Sequence, residues 1–211
     1  MMPTKALALI FIIIFISFLG FITENLFICF RSGFIDNRNM IFPFLLGYGL
    51  AVFSIYKLFG TPDFPLFWGK ELNIESKVLS FAYYYLIAFL CVSVGEVILG
   101  FAMEWTCNIK WWDYSDLPLH ITQYTSVPTS MVFAFLITIF MKYLFNPLLN
   151  IFSSLNPQFL SIVAISALVL LSIDFIHSAI YMFKNHQTLN LWRIEFKRSL
   201  KEILTNMKGS H

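Results

Sequence analysis

From Ala6 to Ile22 the chain carries no charge, and the apolar run continues across Thr23-Glu24-Asn25 into Leu26-Phe27-Ile28-Cys29-Phe30. A stretch of this length and character has one ready solution, a helix that crosses a bilayer, because only there does the solvent accept apolar side chains on every face. Comparable stretches recur along the chain. The reading is five spans, at about 6–30, 40–59, 77–105, 126–146 and 158–183, in an all-α polytopic membrane bundle. Composition agrees: 58% of the 211 residues are hydrophobic and 12% charged, where soluble domains carry about 25% charged residues. The first run has a longer core than a signal peptide and no small-residue cleavage site, so it reads as an uncleaved span.

The segments between the spans are short and distinctive. A polar turn holds Arg31, Asp36, Asn37, Arg38 and Asn39; a Pro- and Trp-containing connector covers about 60–76. The longest polar gap, about 106–125, contains Trp111-Trp112-Asp113-Tyr114-Ser115. Amphipathic rings settle at headgroup depth, so the tryptophans read as interfacial anchors, with a stacking site as the alternative. Asn146-Pro147 reads as the end of the fourth span. Beyond residue 184, Leu189, Leu191, Trp192, Ile194, Phe196, Leu200, Ile203 and Leu204 alternate with Arg193, Lys197, Arg198 and Lys201. That pattern predicts a basic amphipathic helix over 185–211, lying on an anionic membrane face. The positive-inside bias of this tail places the C-terminus in the cytoplasm of a multi-pass cell-membrane protein, and the N-terminus outside.

Several function classes are excluded or left without support. No Walker A loop, dinucleotide fingerprint, HExxH or GxSxG is present, so the chain hydrolyses no nucleotide through a P-loop of its own. Basic residues are few, 14 in 211, which gives no footing for nucleic acid. Cys29, Cys91 and Cys107 form no paired or close-spaced metal motif and read as small apolar residues. The sequence identifies no cofactor, no catalytic residue and no metal.

Carboxylates on the spans carry the functional expectation. Spans one, three and five run in one direction, and Glu24, Glu96 and Asp174 lie at roughly 24–29 Å along them, at one boundary of the ~30 Å core. An ionisable side chain at mid-helix costs about 2.5–3.5 kcal/mol on insertion scales and less towards the boundary. Three at matched depth are expected to face one another or a shared wet cavity, with Arg31 and Arg38 as partners. The choice is between a packing network and a ligand- or ion-handling cavity. Glu104, about 80° around the helix from Glu96, shares one broad face with it; solvation or pairing with Lys110 is its simpler reading. Asp113 either caps a turn or accepts from Arg38. His177 follows Asp174 by three residues on the same face, a spacing that suits proton transfer or a metal. His120 reads as a solvated loop residue.

In these residues the sequence resembles the integral membrane family catalogued as ABC-transporter type IV, or CmpB-like. The family's pattern is an early glutamate, an Asn-Arg-Gly turn, a Pro/Tyr/Gly-rich second helix and a glutamate-bearing helix leading into Trp-Asp-Tyr-Ser. Here the corresponding residues are Glu24, Asn37-Arg38, Gly47-Tyr48-Gly49, Glu96 with Glu104, and Trp112-Asp113-Tyr114-Ser115. Asn-Pro-Leu-Leu at 146–149 and Asp174 follow, so the resemblance covers about 15–180. Departures are Asn39 in place of the glycine, a displaced Pro43, and Leu117-Pro118-Leu119-His120 after the motif, with Gln123 and Tyr124 further on.

The family name implies transport. The expectation is therefore a permease-like membrane component whose ligand- or ion-binding residues are Glu24, Asn37, Arg38, Glu96, Glu104, Trp112, Asp113, Tyr114, Ser115, Asp174 and His177. Acids outnumber bases among them, which favours a cationic or amine-bearing small solute. Its partners would be the lipid bilayer, that solute, and a separate ATPase subunit or further copies of the chain. The alternatives are an intramembrane enzyme acting on a lipid or isoprenoid head group, and a non-catalytic assembly or regulatory subunit.

Overall fold

The apolar runs become helices, and their ends follow local chemistry. The computed structural model describes residues 4–196. Helix α1 spans Thr4–Ser32, α2 Leu46–Phe59, α3 Lys77–Cys107, α4 Val127–Ser153 and α5 Pro157–Asn185. Ser76 starts α3 by accepting from the Leu79 N–H at 3.4 Å, and Asn108 ends it in the left-handed conformation. Asn156 caps α5, followed by Pro157 at a position where a missing N–H costs nothing.

Among the described residues, four helices, α1, α3, α4 and α5, are long and apolar enough to cross a membrane. The second run differs from the expected 40–59 span. Its helix has 14 residues, about 21 Å at the helical rise, short of the ~30 Å hydrocarbon thickness. Residues 40–45 ahead of it are not helical because Pro43 lacks an N–H and disfavours helical geometry in the residue before it. Their backbone is satisfied from other helices: Asp174 accepts the N–H groups of Ile41 and Phe42, each at 2.9 Å, and the Ser17 carbonyl accepts that of Leu45.

The fourth run also continues past its expected end. Asn146-Pro147 lies inside α4, because the turn Phe140–Leu144 widens to π geometry, with the Phe145 N–H bonded to the Phe140 carbonyl. Widening the turn just before Pro147 removes the conflict between the proline ring and the preceding backbone that would otherwise break the helix.

The tail is the largest correction. Residues up to 196 show no amphipathic helix after Asn185. Instead β7, Arg193–Glu195, pairs antiparallel with β1, Phe34–Asp36, in the register Phe34↔Glu195 and Asp36↔Arg193. Leu189 is buried, and Asn37 holds the incoming segment through the Leu189 carbonyl and the Leu191 N–H. The polar turn after α1 offered unpaired backbone groups, and the tail satisfies them in extended form. Lys197, Arg198, Leu200, Lys201, Ile203 and Leu204 of the expected helix lie outside the described residues.

Contacts at the helix ends show how the bundle is strung. At one end, β1 follows α1 and meets β7, while His186 Nδ1 after α5 lies 2.7 Å from the Cys107 carbonyl of α3. At the other, Phe11 of α1 packs against Phe152 of α4, and the Ser80 hydroxyl donates to the Pro62 carbonyl. A short sheet lies there, β2 (Gly60–Thr61), β3 (Phe64–Phe67) and β4 (Lys70–Glu71). The core joins α1, α2, α3 and α4 through Ile12, Ile16, Val52, Tyr84 and Met141. Gly49 makes the α1–α2 crossing close: a Cβ there would stand 2.2 Å from the Ile13 carbonyl oxygen.

Candidate functional site

All five helices and the loops beside them line a partly open cavity of about 270 Å³. Glu24 enters it from α1, Arg38 from the turn, Tyr48 from α2 and Glu96 from α3; Trp111, Trp112 and Tyr114 close its loop side. The remaining wall is largely apolar, including Leu46, Val92 and Phe133. Two of the three acids expected at matched depth therefore face one space.

Their surroundings differ. The Tyr48 hydroxyl donates to Glu24 Oε1, and Arg38 Nη2 lies 3.5 Å from Glu24 Oε2. Arg38 reaches the other way to Asp36, 3.5 Å from Nη1, and that same carboxylate accepts the Arg38 backbone N–H at 2.8 Å. The guanidinium is thus held between two carboxylates, while its Nε is buried without a hydrogen-bond partner among the described residues. Glu96 is held differently. Its Oε2 accepts from the Thr125 hydroxyl at 2.7 Å and the Ser130 hydroxyl at 3.0 Å, and it forms no ion pair among the described residues.

The turn that delivers Arg38 is demanding. Arg38 and Asn39 both have positive φ, 49° and 64°. Non-glycine residues rarely adopt this region, and asparagine is among those that tolerate it best. Asn39 can therefore take the place where the related pattern carries glycine. Asn37 turns away from the cavity, donating to the Met40 and Leu189 carbonyls at 3.0 and 2.9 Å, which makes it the clasp of the tail.

Trp111-Trp112-Asp113-Tyr114-Ser115 divides its work. The Trp112 indole N–H donates to the Tyr124 carbonyl at 2.9 Å, and Tyr114 is buried with its ring edge against Phe27. Burial first, and then the negative charges of Glu24 and Glu96, hold the Tyr114 phenol above its ordinary range. Asp113 does not reach Arg38. It accepts the Ser115 N–H at 2.9 Å and meets Lys110 at 3.5 Å, and the Ser115 contacts hold its carboxyl below the ordinary range. Arg31 is the arginine that grips this loop, donating to the Asp113 carbonyl at 2.9 Å, pairing with Asp116 and lying over the Tyr114 ring.

Besides Asn37, Asp113 and Ser115, three further expected site residues lie outside this cavity. Glu104 accepts from Gln123 at 3.0 Å and from the Tyr124 hydroxyl at 2.7 Å, tying the end of α3 to the hairpin of β5 (His120–Thr122) and β6 (Thr125–Ser126). Asp174 is buried and occupied by the Ile41 and Phe42 N–H groups. His177 is exposed on the outer face of α5. His120 Nδ1 sits 3.0 Å from the Leu117 carbonyl within its own loop.

Tyr48 and Tyr124 are the participants that charge and depth did not reveal. Tyr48 had a signal, a phenol flanked by two glycines on an apolar helix. Tyr124 had a fainter one, Gly100 and Glu104 one turn apart on α3. The bare Gly100 surface receives the Tyr124 ring, whose Cγ would lie 2.2 Å from an added Cβ, and Glu104 receives its hydroxyl.

A second, polar cavity, also of about 270 Å³, adjoins the first. Arg38, Trp111 and Trp112 line both, and Arg31, Asp36 and Arg193 line only the polar one.

A family model described as "Putative ABC-transporter type IV" matches residues 10–179, which contain every residue lining the first, largely apolar cavity. No curated protein and no solved structure matches the chain.

Proposed function

Because the chain belongs to the ABC-transporter type IV family, a group of membrane, transport-related proteins, we propose that it is a transport component whose working site is the Glu24–Arg38–Glu96 cavity. The cargo presents a small cationic or amine-bearing group to this cavity. One observation carries this reading: Glu96 faces the cavity without an ion-pair partner among the described residues. Glu24 and Arg38 offset one another, so the lining retains one unmatched negative charge. A carboxylate in a largely apolar site is costly unless something positive joins it, either a bound cation or a proton.

The division of labour among the groups follows. Thr125 and Ser130 fix one Glu96 oxygen and leave the other for the cargo. Arg38 neutralises Glu24, and Tyr48 orients it. Tyr114, Trp111 and Trp112 form the lip, and aromatic faces attract cations in their own right. Asp174 serves the architecture by holding the irregular backbone at 41–42, which allows the short α2 and its extended lead-in to complete a fifth crossing. A cytoplasmic side for the site is supported by the basic residues at this end, Arg31, Arg38, Lys110, Lys184 and Arg193, under the positive-inside bias. ATP coupling would use a separate ATPase subunit, since the chain has no P-loop.

Uptake of radiolabelled butylammonium into membrane vesicles from cells expressing the full chain tests the reading. Glu96→Gln abolishes uptake while protein abundance in the membrane stays normal. Equal uptake by the variant, or none above background with the unaltered chain, contradicts it.

A further inference from the structure

The cavity is not closed towards the bilayer. Gly47 on α2, and Gly95 and Leu99 on α3, line it and are exposed, as is Phe175 on α5. An added Cβ at either glycine would meet nothing within 4 Å, so both leave open space where most residues would fill the wall. Its opposite end adjoins the polar, arginine-bearing cavity and shares Arg38, Trp111 and Trp112 with it. The cavity therefore has an apolar mouth at the lipid-facing surface, a carboxylate inside without an ion pair among the described residues, and a polar neighbour beyond.

We infer that the cargo enters sideways from the membrane, and that it is a long-chain amphiphile bearing a protonated amine. The inference rests on the transport reading of the same cavity. Glu96 supplies the complementary charge for the amine. The exposed gap beside Gly47 and Gly95 lets the chain remain in lipid while the head group occupies the cavity. Volume agrees with this partition. About 270 Å³ falls just under the usual range for a whole small-molecule site, about 300–1,000 Å³, and suits a head group with a short length of chain. An anionic head is disfavoured, because Arg38 is already held between Glu24 and Asp36.

The test uses the full chain in phosphatidylcholine nanodiscs, with Trp68, Trp105 and Trp192 changed to Phe so that emission comes from Trp111 and Trp112. 11,12-Dibromododecylamine should quench this emission saturably. Gly95→Leu and Gly47→Leu, which fill the mouth from opposite walls, should each raise the half-saturating concentration tenfold or more. Comparing the plugged and open proteins removes the contribution of simple partitioning into lipid. Butylamine, with the same head and little chain, should compete a hundredfold less well than dodecylamine. Unchanged quenching in both plugged variants overturns lateral entry, including the case in which Gly95→Leu shifts the oligomeric state because a second copy covers the mouth. Dodecyl phosphate displacing the quencher better than dodecylamine overturns the choice of head group. In either case, butylammonium uptake that still depends on Glu96 leaves the transport reading intact, and its loss of dependence removes both.

Discussion

Asp174 and Glu96 are both acids on long apolar helices, yet the groups around them assign them different work. Asp174 accepts two backbone N–H groups from a stretch with no helix of its own, so its removal leaves two part-buried donors without partners. Each such donor costs about 1–3 kcal/mol. Asp174→Ala is expected to lower stability by about 2–6 kcal/mol, read as a large drop in Tm in detergent; an unchanged Tm would contradict this role. Asp113 acts more weakly and with a pH signature. Its folded carboxyl is held below the ordinary range by Ser115, so its contribution is full above that range and fades as pH falls through it. The Tm difference between the unaltered chain and Asp113→Ala should be small at pH 7 and smaller still at pH 4. A difference that grows on acidification would show the opposite sign. Depth along the helices is similar for all three acids, yet only Glu24 and Glu96 line one cavity. Depth could not assign partners, because backbone N–H groups, hydroxyls and arginines all satisfy a carboxylate and leave the same trace in a sequence. Arg31 taking the loop where Arg38 was the candidate is one such case.

At the level of elements, long apolar runs were legible and their interruptions were not. Pro43 and Pro147 occur in similar runs with opposite outcomes: one leaves an irregular lead-in held by Asp174, the other is absorbed by a π turn. The difference lies in what neighbouring helices offer, which local sequence does not carry. The tail shows the same limit. The spacing of its apolar residues fits a helix, but the β1 edge and the Asn37 side chain supplied ready partners for an extended segment. Glycines on α3 give a sharper contrast. At Gly100 an added Cβ meets the Tyr124 ring, whereas at Gly95 it meets open space. Gly100→Ala should cost about 1–3 kcal/mol by overpacking and loosen the Glu104–Tyr124–Trp112 linkage. Gly95→Ala should leave Tm unchanged. Equal behaviour of the two in thermal unfolding would show that Tyr124 yields freely.

Across the whole molecule, three helix ends and their loops gather at one end, and this places the cavity, the arginines and the tail together. The bundle is legible from composition alone, since lipid is the only solvent that accommodates so apolar a chain. The cavity is not, because it depends on where α1 and α3 fail to touch. The proposed orientation predicts that Lys208→Cys resists a membrane-impermeant thiol reagent in intact cells and reacts once the membrane is opened; labelling from outside would reverse the arrangement. The central claim is that Glu96, and not the arginine-paired Glu24, is the charge that receives the cargo. Its most direct test is butylammonium binding to the purified full chain, measured beside Tm for the unaltered protein and Glu96→Gln. Saturable binding that weakens tenfold or more in Glu96→Gln, at nearly unchanged Tm, is the expected result. Undiminished affinity in that variant would contradict it.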